Sequence, residues 1–190
     1  PPAPLPVGGL VELMDNNPLV CADEASVPDP AATLGLIALG PLIRAGLMVE
    51  PPVLQFSFEA DFQPLAAEIA AWGWDGEIIA TAEAQELGDV LSLNALVEID
   101  TPADWNAIDD LFHESYGRSF FVRESAGGDW DTQLVAGKPW AVYRLRITPD
   151  EPRSLLTIQV MADRDGKCGS AQAIHAFNVM AGFEESLGLE

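Results

Sequence analysis

Residues 90–99, Val-Leu-Ser-Leu-Asn-Ala-Leu-Val-Glu-Ile, alternate strongly between apolar and other side chains. A strand with that period turns one face to a core and the other away, so the chain must provide a layer that covers one side of a sheet. The covering material comes from helical patterns. Asp29-Pro30 supplies an N-cap followed by proline at the first helical position. Leu34, Ile37, Leu42 and Ile43 then recur at helical spacing until Gly46 stops the helix. Pro41 lies inside that span and predicts a kink or a break, because it removes a backbone donor.

Further along, the patterns predict a strand over 53–58, a helix over 65–72 closed by the Gly73–Gly76 turn, and a strand over 77–82. Thr101-Pro102-Ala103-Asp104 is read as the cap of a helix reaching Tyr116. Strands over 120–123, 140–147 and 155–161 follow, then a turn at Asp163–Gly166 and a final helix over 170–180 ended by Gly182. This order predicts an α+β fold, a mixed and mostly antiparallel sheet with helices packed on one face. Residues 1–6, Pro-Pro-Ala-Pro-Leu-Pro, read as an extended arm, and residues 7–190 as one domain.

Charge limits the partners. Of the 190 residues, 30 are acidic and 9 basic, a formal net of −21. Residues 1–117 hold 20 acidic side chains against Arg44 alone, a net of −19, and residues 118–190 hold 10 against 8, a net of −2. Nucleic acids and anionic membrane surfaces are met by Lys and Arg, so neither is an expected partner. With 48% apolar residues the chain is expected to be globular rather than disordered. No apolar run is long enough to span a membrane, because Pro41 and Arg44 interrupt the best one. Cys21 and Cys168 make no disulfide framework, which points to a reducing compartment and a cytoplasmic location. The first residue is Pro rather than Met, as expected of a fragment or a processed chain.

Few residues suggest chemistry on their own. His113 and His175 stand apart from other metal-ligating residues, so no metal site is expected. His113-Glu114 reads as a solvated pair, and each cysteine as a small buried hydrophobe. Asp163-Arg164-Asp165-Gly166 lacks the later ligands of a calcium loop and reads as a turn. Gly166-Lys167-Cys168-Gly169-Ser170 precedes the last helix. It is either a structural glycine-rich start or a cradle whose backbone donors hold an anion, with Lys167 adding charge. Trp72 and Trp74, on either side of Gly73, are expected to mark a surface patch.

The C-terminal run from Gly166 through Gln172-Ala173, Asn178-Val179-Met180 and Gly188-Leu189 resembles the end of the N-acetyl-γ-glutamyl-phosphate reductases. Leu111–Tyr116, Phe120-Phe121-Val122-Arg123, Asp131–Gly137 and Val90–Ile99 are similar to further segments of the same family. The resemblance covers the catalytic and dimerisation half shared with aspartate-semialdehyde dehydrogenases. It implies a fold similar to the C-terminal domain of glyceraldehyde-3-phosphate dehydrogenase. It also implies an oligomer, either of this chain with itself or with a related reductase. The NADP-binding half is outside the resemblance, so no cofactor is expected within this chain, and NADP only if an upstream domain exists.

The same resemblance places Val27–Thr33 on the family's nucleophile motif, with the cysteine position occupied by Pro30. Leu65 falls at the catalytic histidine, and Leu87-Gly88-Asp89 where a substrate-binding arginine would stand. A thioester cannot form without the sulfur, so no catalytic residue is assigned. The resemblance thus implies a non-catalytic homologue acting as an interaction or regulatory subunit. The alternatives are the back half of an NADP-dependent reductase of arginine or related amino-acid biosynthesis, and a small-molecule binding module. Asp29, Thr33, Glu68, Lys167 and Ser170 are the candidate ligand-binding residues.

Overall fold

The computed structural model describes residues 7–15, 18–125 and 127–189; the proline-rich segment 1–6 lies outside the described residues. Fifteen elements follow one another in the order β1 (Val7–Gly8), two 3-10 turns (Val11–Leu13, Pro18–Cys21), β2 (Ala25–Ser26), α1 (Pro30–Ala45), β3 (Val53–Phe56), α2 (Gln63–Ala71), β4 (Ile79–Ala82), β5 (Val90–Asp100), α3 (Asn106–Tyr116), β6 (Val122–Glu124), a third 3-10 turn (Thr132–Leu134), β7 (Ala141–Thr148), β8 (Arg153–Asp163) and α4 (Ser170–Ala181). Strands β3 to β8 form one mixed sheet in the order β4-β3-β5-β8-β7-β6. The three inner pairings, β3 with β5, β5 with β8 and β8 with β7, are antiparallel, and the two outer ones are parallel. The expected α+β architecture is present.

Helix α1 is the centre of the covering layer. Every residue from Ala31 to Leu42 is buried, so the helix is apolar all round and lies within the core rather than over it. It rests on β5 and β8 and is itself covered by α2 and α3. Two glycines let its neighbours approach. A Cβ on Gly35 would come within 2.4 Å of a Leu65 methyl, and one on Gly40 within 2.2 Å of a Leu13 methyl. On the sheet, Leu91, Leu93, Ala95, Val97 and Ile99 of β5 face this layer, with Leu156, Ile158 and Val160 of β8 beside them.

The helix is continuous through Pro41, so of the kink or break expected from the sequence the break is absent. A proline at 41 leaves the carbonyl of Ile37 without its usual helical donor. Tyr116, at the end of α3, supplies one: its buried hydroxyl donates to the Ile37 carbonyl at 3.1 Å and lies 3.4 Å from that of Leu36. Burial pushes the Tyr116 phenol well above its ordinary range, which keeps it a donor.

Two other expectations are corrected. Thr101 does not cap α3, because its hydroxyl is taken by the Asp150 carbonyl and by Ser154 Oγ at 3.0 Å on the β7–β8 hairpin. The helix begins five residues later, with Asp104 accepting the Asn106 N–H at 3.0 Å. Trp72 and Trp74 do not form a surface patch; both are half-buried against the main core, the Trp74 indole donating to the Glu77 carbonyl.

Tyr116→Phe removes a single oxygen and leaves a buried carbonyl unpaired. It is expected to lower the unfolding free energy by about 1–3 kcal/mol in denaturant titrations, with no change in helix content by circular dichroism.

Candidate functional site

The N-terminus of α1 and the inner face of α4 meet at one point. Asp29 caps α1 by accepting the Ala32 N–H at 2.8 Å, and Pro30 occupies the first helical position. One turn on, the buried Thr33 hydroxyl donates to the Pro28 carbonyl at 3.2 Å. Gln172 of α4 reaches across and gives its amide hydrogens to the same carbonyl at 3.1 Å and to Thr33 Oγ1 at 3.0 Å. The Gln172 carbonyl oxygen is buried without a partner among the described residues.

Beside it lies a buried charge cluster. Lys167 has no exposed side-chain surface, and its ammonium donates to Glu12 Oε1 at 2.5 Å, a carboxylate that is itself only 4% exposed. His175, three residues after Gln172 on α4, stacks on Phe121 with ring centroids 3.9 Å apart. Its Nε2 is 3.1 Å from Glu185, and its Nδ1 faces Glu12 Oε1 at 3.7 Å. A carboxylate only accepts, so Nε2 carries the proton and donates to Glu185. Among the described residues, Nδ1 and Glu12 Oε2 are buried without a hydrogen-bond partner. Burial, reinforced by Lys167, lowers the His175 pKa against the opposing pull of Glu12 and Glu185. The imidazole is therefore held neutral.

The candidate ligand-binding residues are distributed around this junction. Asp29 and Thr33 belong to it. Glu68, on α2, is partly buried, and its carboxyl is raised by that burial and then by Asp29 nearby. The Lys167 ammonium is taken by Glu12. Ser170 is exposed there and donates to the Asp165 carbonyl at 2.9 Å. Leu65 is buried on Gly35. Cys168 is buried and its thiol is pushed up to about 12, chiefly by desolvation, which makes it unreactive as a thiolate at neutral pH. Glu12, Gln172, His175 and Glu185 escaped the sequence reading as site residues; Glu12 and Lys167 are 155 positions apart, and no local spacing links them.

An NADP phosphate would need open backbone donors at a glycine-rich strand-to-helix turn. The β3-to-α2 crossing, Ser57–Phe62, has no glycine, carries Glu59 and Asp61, and already uses Asp61 to accept the Gln63 N–H at 3.0 Å. This crossing does not supply such a turn.

No family model matches the chain. Among curated proteins it is 30% identical over 115 residues to a LysW-L-2-aminoadipate/LysW-L-glutamate phosphate reductase of Natronomonas pharaonis, covering 58% of this chain and 33% of that protein. It is 38% identical over 89 residues to the N-acetyl-gamma-glutamyl-phosphate reductase of Psychrobacter arcticus, covering 45% and 23%. The chain thus spans a third or less of these relatives. Two crystal structures of aspartate semialdehyde dehydrogenase II from Vibrio cholerae share the fold. One gives a TM-score of 0.63 at 13% identity over 84% of this chain and 62% of that one. The other, complexed with ASA, gives 0.68 at 12% identity over 93% and 68%.

Two measurements probe the cluster. Lys167→Met strands the Glu12 carboxylate and is expected to destabilise by about 3–5 kcal/mol, whereas Glu12→Leu with Lys167→Met recovers most of that loss. For His175 the folded pKa is the lower one, so its contribution to stability is complete above about pH 6.5 and is lost as the pH falls through the folded value. Unfolding free energies measured from pH 8 to pH 5 should therefore decline more steeply for the native chain than for His175→Gln.

Proposed function

From a chain that is a C-terminal domain of the semialdehyde dehydrogenase family, we propose a non-catalytic role: an interaction or regulatory domain that assembles with a second copy of itself or with a related reductase. The observation that carries this reading is Pro30. At the position where the resemblance puts the sulfur nucleophile, the chain has an imino acid fixed at the first turn of α1, with neither a nucleophilic atom nor an N–H. Leu65, where the resemblance puts the family's histidine, packs on Gly35 and offers no base. The remaining described thiol, Cys168, is buried and protonated.

The sheet supports the assembly half of the proposal. On the face opposite α1, Leu134 and Trp130 cover one end, packing with Val90, Val142 and Met161, and toward the other end Leu96 and Leu155 are exposed among Gln55, Asn94, Thr157 and Gln159. Across β5 and β8 the amides are joined, Gln159 donating to Asn94 at 2.7 Å. These amides and exposed apolar side chains, with Arg144, Arg146, Arg153 and Glu98 beside them, make a mixed surface of the kind found where proteins meet.

A second reading rests on the relatives themselves. Both curated proteins are reductases of which this chain spans the smaller part. Under that reading the chain supplies the C-terminal part of an NADP-dependent acyl-phosphate reductase of arginine or related amino-acid biosynthesis, the cofactor being held by another domain.

Analytical ultracentrifugation separates these outcomes. A concentration-dependent dimer, or co-sedimentation with an active N-acetyl-γ-glutamyl-phosphate reductase, supports the interaction role. A monomer at every concentration, alone and in the mixture, overturns it. NADPH-dependent reduction of an acyl phosphate by the product of the complete gene would establish the second reading instead.

A further inference from the structure

The cations of this chain gather late in the sequence, 8 of the 9 lying in residues 118–190. Two of them converge on one ring. Trp140, immediately before β7, has the Arg123 guanidinium carbon 3.6 Å from its ring centre and the Lys138 ammonium 5.5 Å from it. The chain has 30 acidic side chains, yet neither cation forms an ion pair among the described residues.

Arg123 is nevertheless held in place. Phe120 and Trp140 meet edge to face with centroids 5.8 Å apart, and the guanidinium lies against both, its carbon 4.7 Å from the centre of the Phe120 ring. Its Nε donates to the Phe120 carbonyl at 2.9 Å. The backbone there is fixed in turn. Ser119 Oγ accepts the N–H groups of Phe121 and Val122, each at 3.0 Å, and Ala141 donates to the Phe121 carbonyl at 2.9 Å. On the other side the Trp140 indole donates to the Leu134 carbonyl at 3.2 Å, and the Lys138 ammonium donates to that carbonyl and to the one of Gln133. The groups around the guanidinium are thus tied down by the protein itself, so little side-chain freedom remains to be lost when a ligand arrives.

These contacts use the Nε and the flat faces of the group. The two terminal nitrogens make no hydrogen bond to a described residue, and they form the fork that takes two oxygens of one carboxylate or phosphate. The neighbouring carboxylate is turned away. Glu124 pairs in register with Tyr143, whose ring packs in the core on Phe112 and Tyr116, whereas Arg123 pairs with Val142. Successive residues of a strand point to opposite faces, so Glu124 and Arg123 stand on opposite sides of the sheet. Strand β6 is also the last strand of that sheet, and no further strand covers its outer edge. Partial burial lowers the Arg123 pKa from its ordinary value without removing the charge, a desolvation cost that a bound anion offsets.

We infer that Arg123, braced by Phe120 and Trp140, is the receptor of a site for a small oxyanion, which it holds through a bidentate contact to a carboxylate or phosphate group, with Lys138 adding positive charge nearby. The inference goes beyond the interaction role proposed above and holds for this chain whether it is a monomer or part of an assembly.

Thermal-shift titrations with inorganic phosphate and with succinate, at an ionic strength held constant with sodium chloride, provide the test. The chains compared are the native protein, Arg123→Gln, Arg123→Lys, and Arg144→Gln with Arg146→Gln. The native unfolding midpoint should rise saturably, half of the effect being reached at about 1–10 mM anion. Arg123→Gln should abolish the rise, and the double change on β7 should leave it intact. Arg123→Lys keeps the charge but not the planar fork, so it should weaken binding by about tenfold, and it decides the matter if Arg123→Gln does not fold. A response to phosphate alone assigns the site to phosphoryl groups and a response to succinate alone to carboxylates; either supports it. No saturable response of the native chain to either anion overturns the inference, as does a response that persists in Arg123→Gln or is lost with the β7 arginines instead. An undiminished response in Arg123→Lys overturns the bidentate contact.

Discussion

A helix buried on all sides must satisfy every backbone group from within the protein, since water cannot reach the ones it leaves over. Helix α1 meets that constraint almost everywhere by its own hydrogen bonds, and at Ile37 by borrowing the Tyr116 hydroxyl. The neighbours are arranged around this requirement. Helix α3 is placed so that its last residue reaches α1, while α2 closes over Gly35 and the N-terminal turn over Gly40. Tyr116 also packs near Phe112 and Tyr143, which connects the helix layer to β7. The position of α1 thereby fixes where its N-terminus, with Asp29, Pro30 and Thr33, meets α4.

At that meeting the chemistry is polar but closed. Gln172 ties the two helices through Pro28 and Thr33, and the Lys167–Glu12 ion pair fills the space alongside with the neutral His175. Buried charges are costly unless paired, and here one carboxylate faces two basic side chains. The result is a junction built to hold elements together. The neutral imidazole and the protonated Cys168 thiol provide no activated nucleophile.

How much of this was readable beforehand depended on distance along the chain. Asp29-Pro30 and Gly46 act within a few residues, and both ends of α1 stood where they indicated. The alternation in β5 also declared its buried face correctly. Pro41 misled because its consequence is decided by a tyrosine 75 positions later, and Thr101 because a hairpin claimed its hydroxyl first. His175 looked isolated in sequence, yet it faces Glu12 from the opposite end of the chain. Local spacing reports caps and faces, whereas buried ion pairs between remote segments have no local signature.

Lys167 has one more consequence, for chemical labelling. The chain has two lysines, Lys138 and Lys167, and the second is fully enclosed with its ammonium on Glu12. An amine-directed reagent meets side-chain reactivity at Lys138 as long as the junction stays shut. Slow modification at Lys167 then becomes a clock for how often the N-terminal turn parts from α4, in an otherwise folded molecule.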